Sequence, residues 1–171
     1  VLNRIIKEVM PGASETDLCK RIECAFIKKG AMTGFQPIVA CGRNSSMPHA
    51  HPTDKKISRN DVVMIDAGCK LNSYNSDMPK MVFIGNVKNK IKEIYSIVKT
   101  AQYKAFEMIM PGRRISEVDR AGRQYITDKG YGKFFGHSIG LGVGLVVHEE
   151  PSVSGRNKDV LMPGMVFTVE P

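Results

Sequence analysis

At 171 residues and 42% apolar composition the chain is long enough to bury a core and too apolar to stay disordered, which bounds it to one ordinary domain or two small halves. No apolar run reaches the roughly 18 residues of a membrane helix, and the four cysteines, Cys19, Cys24, Cys41 and Cys69, have neither zinc-knuckle nor disulfide spacing, so a reduced cytoplasmic setting is expected. The net charge of +8 permits nucleic-acid contact. Yet Lys88, Lys90, Lys92, Lys99 and Lys104 are dispersed along one predicted helix without interleaved aromatic residues, which disfavours nucleic acid as a partner.

Residues 1–10 read as a helix with Leu2, Ile5, Ile6 and Val9 on one face, stopped by Pro11-Gly12. Ser14 caps a second helix through Ser14-Glu15-Thr16-Asp17, whose apolar stripe is Leu18, Ile22 and Phe26, and Lys29-Gly30 closes it. Residues 35–41 and 62–66 read as strands separated by a loop carrying Pro48-His49-Ala50-His51-Pro52. The segment 74–84 is a return strand ending at Gly85. Residues 88–110 form a long amphipathic helix with apolar positions Ile91, Ile94, Val98, Ala101, Ala105 and Met108, stopped by Pro111-Gly112.

The stretch 61–77, DVVMIDAGCKLNSYNSD, is the most informative. An apolar run ends in Asp66, and a turn-prone Asn/Ser segment returns the chain to Asp77, a hairpin with an acid on each strand. Two carboxylates in strand surroundings are partly buried, and buried like charges are costly unless a cation or a proton sits between them. Paired aspartates of this kind suggest a metal; the plainer alternative is one aspartate capping a turn and one solvated on a strand.

The chain also repeats itself at a period of about one hundred residues. Met10-Pro11-Gly12 returns as Met110-Pro111-Gly112, Ser14-Glu15-x-Asp17 as Ser116-Glu117-x-Asp119, and Lys29-Gly30 as Lys129-Gly130. His49-x-x-Pro52 matches His148-x-x-Pro151, and 62–66 matches 166–170, each ending in a carboxylate. The period is too long for a solenoid. It predicts two similar α+β halves, about 1–85 and 86–171, in one compact unit with no linker-like division, each giving a histidine and an acidic strand to a shared cleft. Asp66, Asp77, His49, His148 and Glu170 are thereby expected to converge, and carboxylates with imidazole suit Mn, Co, Fe or Zn.

The segments Pro48-His49-Ala50-His51-Pro52-Thr53-Asp54-Lys55, Ile65-Asp66-Ala67-Gly68, Ser76-Asp77, Phe135-Gly136-His137, Val147-His148-Glu149-Glu150-Pro151 and Gly164-Met165-Val166-Phe167-Thr168-Val169-Glu170-Pro171 resemble, in this order, the pita-bread metallopeptidases. His137, and Pro-Thr-Asp-Lys after His49, favour the proline-specific branch of prolidases and aminopeptidase P over methionine aminopeptidase. The resemblance implies a pseudo-twofold α+β fold, with a curved antiparallel sheet flanked by helices. It implies two divalent metal ions (Mn, Co or Zn) with Asp66 on one, Asp77 bridging both, and Glu170 on one while positioning the water. His49 and His148 would stabilise the tetrahedral intermediate, and His137 would contact substrate. The implied reaction removes an N-terminal residue from a peptide with proline second; a homodimer is a candidate assembly, and no membrane partner is expected.

Three departures bear on this. The family pattern His-x-x-Gly-His places a metal-binding histidine where this chain has Leu141, in His137-Ser138-Ile139-Gly140-Leu141. Met78-Pro79-Lys80-Met81 replaces the usual threonine and arginine after Asp77, so that strand must pair differently or lie at an edge. The chain stops at Pro171, where the family continues through a strand with a further bridging glutamate, so truncation at both ends and weak metal binding are expected. A non-catalytic relative that binds a peptide or protein is the alternative that Leu141 raises.

Overall fold

The computed structural model describes all residues from Val1 to Pro171. Their contacts divide into two compact units, Val1–Lys88 and Asn89–Pro171. Each mixes helices with antiparallel strands, the α+β class expected.

The first unit opens with α1 (Leu2–Lys7) and α2 (Glu15–Ile27). The predicted cap is present in both directions: Ser14 Oγ accepts the Asp17 N–H at 3.1 Å, and the Asp17 carboxylate accepts the Ser14 N–H at 3.4 Å. Leu18, Ile22 and Phe26 are buried in one cluster with Val39, Val63 and Ile65. Each such side chain contributes about 1.5–3 kcal/mol on leaving water.

Two three-stranded sheets follow. One orders β2 (Ile38–Cys41), β3 (Val62–Asp66) and β6 (Pro79–Phe83); the other orders β1 (Met32–Thr33), β4 (Cys69–Leu71) and β5 (Tyr74–Asn75). The expected return strand is therefore split into β5 and β6. Its turn is the Asn/Ser segment, where Asn72 and Ser73 both have positive φ, 50° and 71°, the hand that matches strand twist. Pro79 begins β6 at the sheet edge, where its missing N–H is tolerated.

The second unit packs α3 (Asn89–Phe106) on α4 (Ile115–Asp128) and pairs β7 (Gly140–Val143) with β8 (Val147–Val153). The buried stripe of α3 is Ile97, Ala101 and Ala105, while Ile94 is 37% exposed, so the face lies one residue round from the expected one at its start. Ile115, Val118, Ile126, Ile139 and Val153 complete this core. The α3 lysines do meet aromatic rings, contrary to the reading along the chain: Lys90 lies 5.2 Å from the Tyr131 ring and Lys104 5.4 Å from Tyr125. A third contact lies within α3 itself, Lys99 at 5.9 Å from the Tyr103 ring, so aromatic residues do stand among these lysines in the sequence.

The repeat is legible in the backbone hydrogen bonds. Gly12 N–H bonds Ile57 O and Gly112 N–H bonds Leu161 O; Glu15 N–H bonds Lys55 O and Ile115 N–H bonds Asp159 O. Ser14 and Arg114 each form an isolated bridge, to Lys56 and Val160. One correspondence shifts: α4 starts at Ile115 with Arg114 at its N-cap, so Ser116 lies inside the helix rather than capping it. Another diverges, since His49–Pro52 lies in a loop and His148–Pro151 in β8. The predicted strand 166–170 is reduced to one bridge, Phe167 with Gly142, flanked by bonds from Thr168 N–H to Leu141 O and from Glu170 N–H to Ile139 O.

Candidate metal centre and its neighbourhood

In the first unit the two aspartates lie on facing strands. Asp66 pairs with Pro79 at the end of β3, and Lys70 pairs with Asn75 in β4 and β5, both in the same register. Counting across the short interruption puts Gly68 opposite Asp77, which makes Asp66 and Asp77 diagonal neighbours on one face, about 7–8 Å apart along the backbone. Gly68 is required there, because a Cβ would overlap the Ser76 carbonyl oxygen. Oδ1 of Asp66 and Oδ1 of Asp77 are both buried and accept no hydrogen bond, although both residues have other interactions. Buried anionic oxygens in this state suit a divalent cation.

His49 is exposed on the loop between β2 and β3. What fixes that loop is a residue that sequence reasoning passed over, Glu15, fully buried at the start of α2. Its Oε1 accepts the Cys41 N–H at 2.7 Å and the Asn44 amide at 3.0 Å. Its Oε2 accepts the Thr53 N–H at 3.0 Å and the Thr53 hydroxyl at 2.6 Å. Burial pushes the carboxyl up, but the bonds from Thr53, Cys41 and Asn44 together outweigh it and hold the pKa below the usual glutamate value. Burial, with Glu15 beside it, drives the Cys41 thiol up to about 12, so it stays protonated and inert.

The motif Thr53-Asp54-Lys55 tightens the same loop, since Asp54 accepts from the Thr16 hydroxyl at 2.8 Å and Lys55 donates to Cys41 O at 2.6 Å. The only hint of Glu15 in the sequence was its place beside the cap, which by itself reads as ordinary helix-end chemistry.

In the second unit β7 lies between β8 and the segment ending at Glu170. Ile139 O accepts the Glu170 N–H at 2.7 Å and Leu141 O accepts the Thr168 N–H at 2.8 Å, so Leu141 and Glu170 are diagonal neighbours as Asp66 and Asp77 are in the first unit. Gly140 is the counterpart of Gly68: a Cβ there would overlap the Thr168 carbonyl oxygen. The Thr168 hydroxyl donates to Glu170 Oε1 at 2.6 Å and orients the carboxylate. Leu141, half-buried in β7, presents a hydrocarbon beside it.

His148 is exposed on β8 with φ of 68°, a left-handed conformation that costs a non-glycine residue on the order of 1 kcal/mol. His137 is exposed on a turn, and its Nδ1–H donates to the Ser138 carbonyl at 2.8 Å. That turn is held by Asp119, also missed from the sequence. It is 1% exposed, accepts the Ile139 N–H at 3.1 Å, and is gripped by Arg123 at 2.8 Å through both Nε and Nη2. Arg123 in turn donates to the carbonyls of Phe135 and His137 at 2.8 and 2.6 Å.

Neither unit gathers three His, Cys, Asp or Glu side chains into a group able to hold a metal by itself. The first brings Asp66 and Asp77 together, and the second sets Glu170 beside Leu141. The carboxylate pair of the first unit fits a cation; in the second unit Leu141 adds no donor to Glu170.

The chain matches the model of metallopeptidase family M24 over residues 1–171. It is 42% identical over 167 residues to the Xaa-Pro dipeptidase of Pyrococcus horikoshii, covering 97% of this chain and 48% of that one. Among solved structures, a prolidase from Thermococcus sibiricus superposes with a TM-score of 0.96 at 41% identity, covering 99% of this chain and 47% of that one. An X-Pro aminopeptidase from Thermotoga maritima gives 0.94 at 38%, covering 98% and 48%. The chain spans about half the length of the curated relatives it matches. A paired-aspartate hairpin, a duplicated α+β pattern and a match along its whole length together make this chain a member of metallopeptidase family M24, with the pita-bread fold.

Proposed function

We propose that the chain serves metal-dependent hydrolysis of the N-terminal residue of a peptide, with proline in the second position. The observation that carries this reading is the Asp66–Asp77 hairpin, which sets two carboxylates as diagonal neighbours on one face of facing strands. The Xaa-Pro dipeptidase relatives favour the proline preference. Because those relatives are described as peptidases, the non-catalytic alternative has no support from them.

In this reading Asp66, Asp77 and Glu170 would hold divalent ions such as Mn, Co or Zn. Bound there, the ions supply Lewis acidity and a water of lowered pKa. Glu170, whose carboxylate Thr168 orients, would help to hold the ions and to position a water there. His49 and His148, both exposed, donate N–H groups to the developing oxyanion, and His137 contacts the substrate. An acidic residue passes a proton to the leaving prolyl nitrogen, which has no hydrogen of its own in the peptide. Leu141 is the position within this sequence where the family's ligand pattern has no donor, and it lowers the expected metal affinity.

The test is release of free proline from Ala-Pro by the chain with added Mn or Co, with Ala-Ala as comparison. Metal-dependent release that is lost in Asp66→Asn and Asp77→Asn supports the reading. Release untouched by those changes, or no metal uptake at the aspartates, overturns it.

A further inference from the structure

The second unit carries a groove that shares His137 with the peptidase reading but whose arginines that reading does not use. It measures about 690 Å³ and runs along α4 between two turns, 136–138 and 154–156. Three guanidinium groups line it, from Arg120, Arg123 and Arg156, against one carboxylate, Asp119. That carboxylate is already consumed: it is 1% exposed and held by both Nε and Nη2 of Arg123. Arg123 gives two further N–H groups to backbone carbonyls. The two form a closed, neutral pair that makes the floor rigid.

Arg120 and Arg156 are different. Both are exposed, and neither takes part in any of the ion pairs of the protein. The hydroxyls of Ser138 and Ser154, one on each turn, add neutral donors to the same lining. Two uncompensated cations with hydroxyl donors around a fixed floor form a lining that is short of acceptors, and guanidinium groups bind phosphate and carboxylate oxygens in paired hydrogen bonds.

We propose that this groove binds an oxyanion, a phosphate or carboxylate group of a ligand, through Arg120 and Arg156. The site stands on the groove alone and does not depend on metal binding or on the peptidase reading.

The test follows the Arg120 and Arg156 Nε–H signals and the Gly155 amide by NMR in the full chain. Inorganic phosphate and succinate are titrated separately, each against sodium chloride at matched ionic strength. Saturable shifts at these three groups are expected with at least one anion. Saturation by phosphate alone identifies a phosphate-bearing ligand, and saturation by succinate alone a carboxylate one. In Arg120→Gln and Arg156→Gln, exposed changes that leave the floor intact, the half-saturation concentration should rise at least tenfold. Shifts that stay linear and equal to those of chloride, or half-saturation unchanged in both variants, overturn the proposal.

Discussion

Replacing Glu15 by glutamine tests how the His49 loop is held. The side chain keeps its shape but has one acceptor oxygen in place of two. In the protein, Oε1 receives the Cys41 N–H and Oε2 the Thr53 N–H, so whichever way the amide turns, one backbone N–H faces an NH₂ group. An unsatisfied buried donor costs about 1–3 kcal/mol, and the remaining bonds lose their charge assistance, which roughly halves their strength. The expected loss is about 3 kcal/mol of local stability, which accelerates opening by about a hundredfold. Native-state exchange of the Cys41 and Thr53 amides reads this directly, with the fully buried Leu18 and Ile22 of α2 as internal reference. The sign of the pH dependence follows from the lowered carboxyl: its contribution is complete above the usual glutamate pKa and is lost as pH falls through the lower folded value. Exchange rates at Cys41 and Thr53 that stay within twofold of wild type in folded Glu15→Gln would refute the argument that this carboxylate latches the loop.

Leu141→His places an imidazole diagonal to Glu170 and should raise Mn affinity more than any other single change; equal calorimetric affinity in both forms would mean that Leu141 is not at the metal site. Gly68→Ala drives a methyl into the Ser76 carbonyl, so the hairpin must shift and the chain should lose about 2 kcal/mol or more, read as a lower urea midpoint; an unchanged midpoint would contradict the close approach. Asp119→Asn leaves Arg123 without its charge partner and should cost about 3 kcal/mol, with faster exchange at the Ile139 amide, which that carboxylate accepts. Protection of Ile139 equal to wild type would show that Asp119 does not hold the turn.

Much of this protein is determined locally, and that part is legible in the sequence. Apolar spacing and the Ser14 cap fix α2, because a helix needs only its own turns and one buried face. The Asn72-Ser73 turn and alternation around it bring Asp66 opposite the strand of Asp77, because hairpin register is local and one slip would turn every side chain over. The repeat, too, is written in residues that recur at the same hydrogen bonds.

What the tertiary structure alone decided are partnerships between residues far apart in the chain. Glu15 reads as a helix-end acid until the loop folds over it and brings Cys41, Asn44 and Thr53 to its oxygens. Asp119 reads as part of a second cap, yet it lies a turn into α4, facing Arg123 and the Ile139 amide. The segment 166–170 has the composition of a strand, but its partner is set only by the fold: Val143 N–H bonds Val166 O, and the Thr168 and Glu170 N–H groups bond Leu141 O and Ile139 O. Burial and pairing of this kind depend on which surfaces meet, and no spacing within one segment records that.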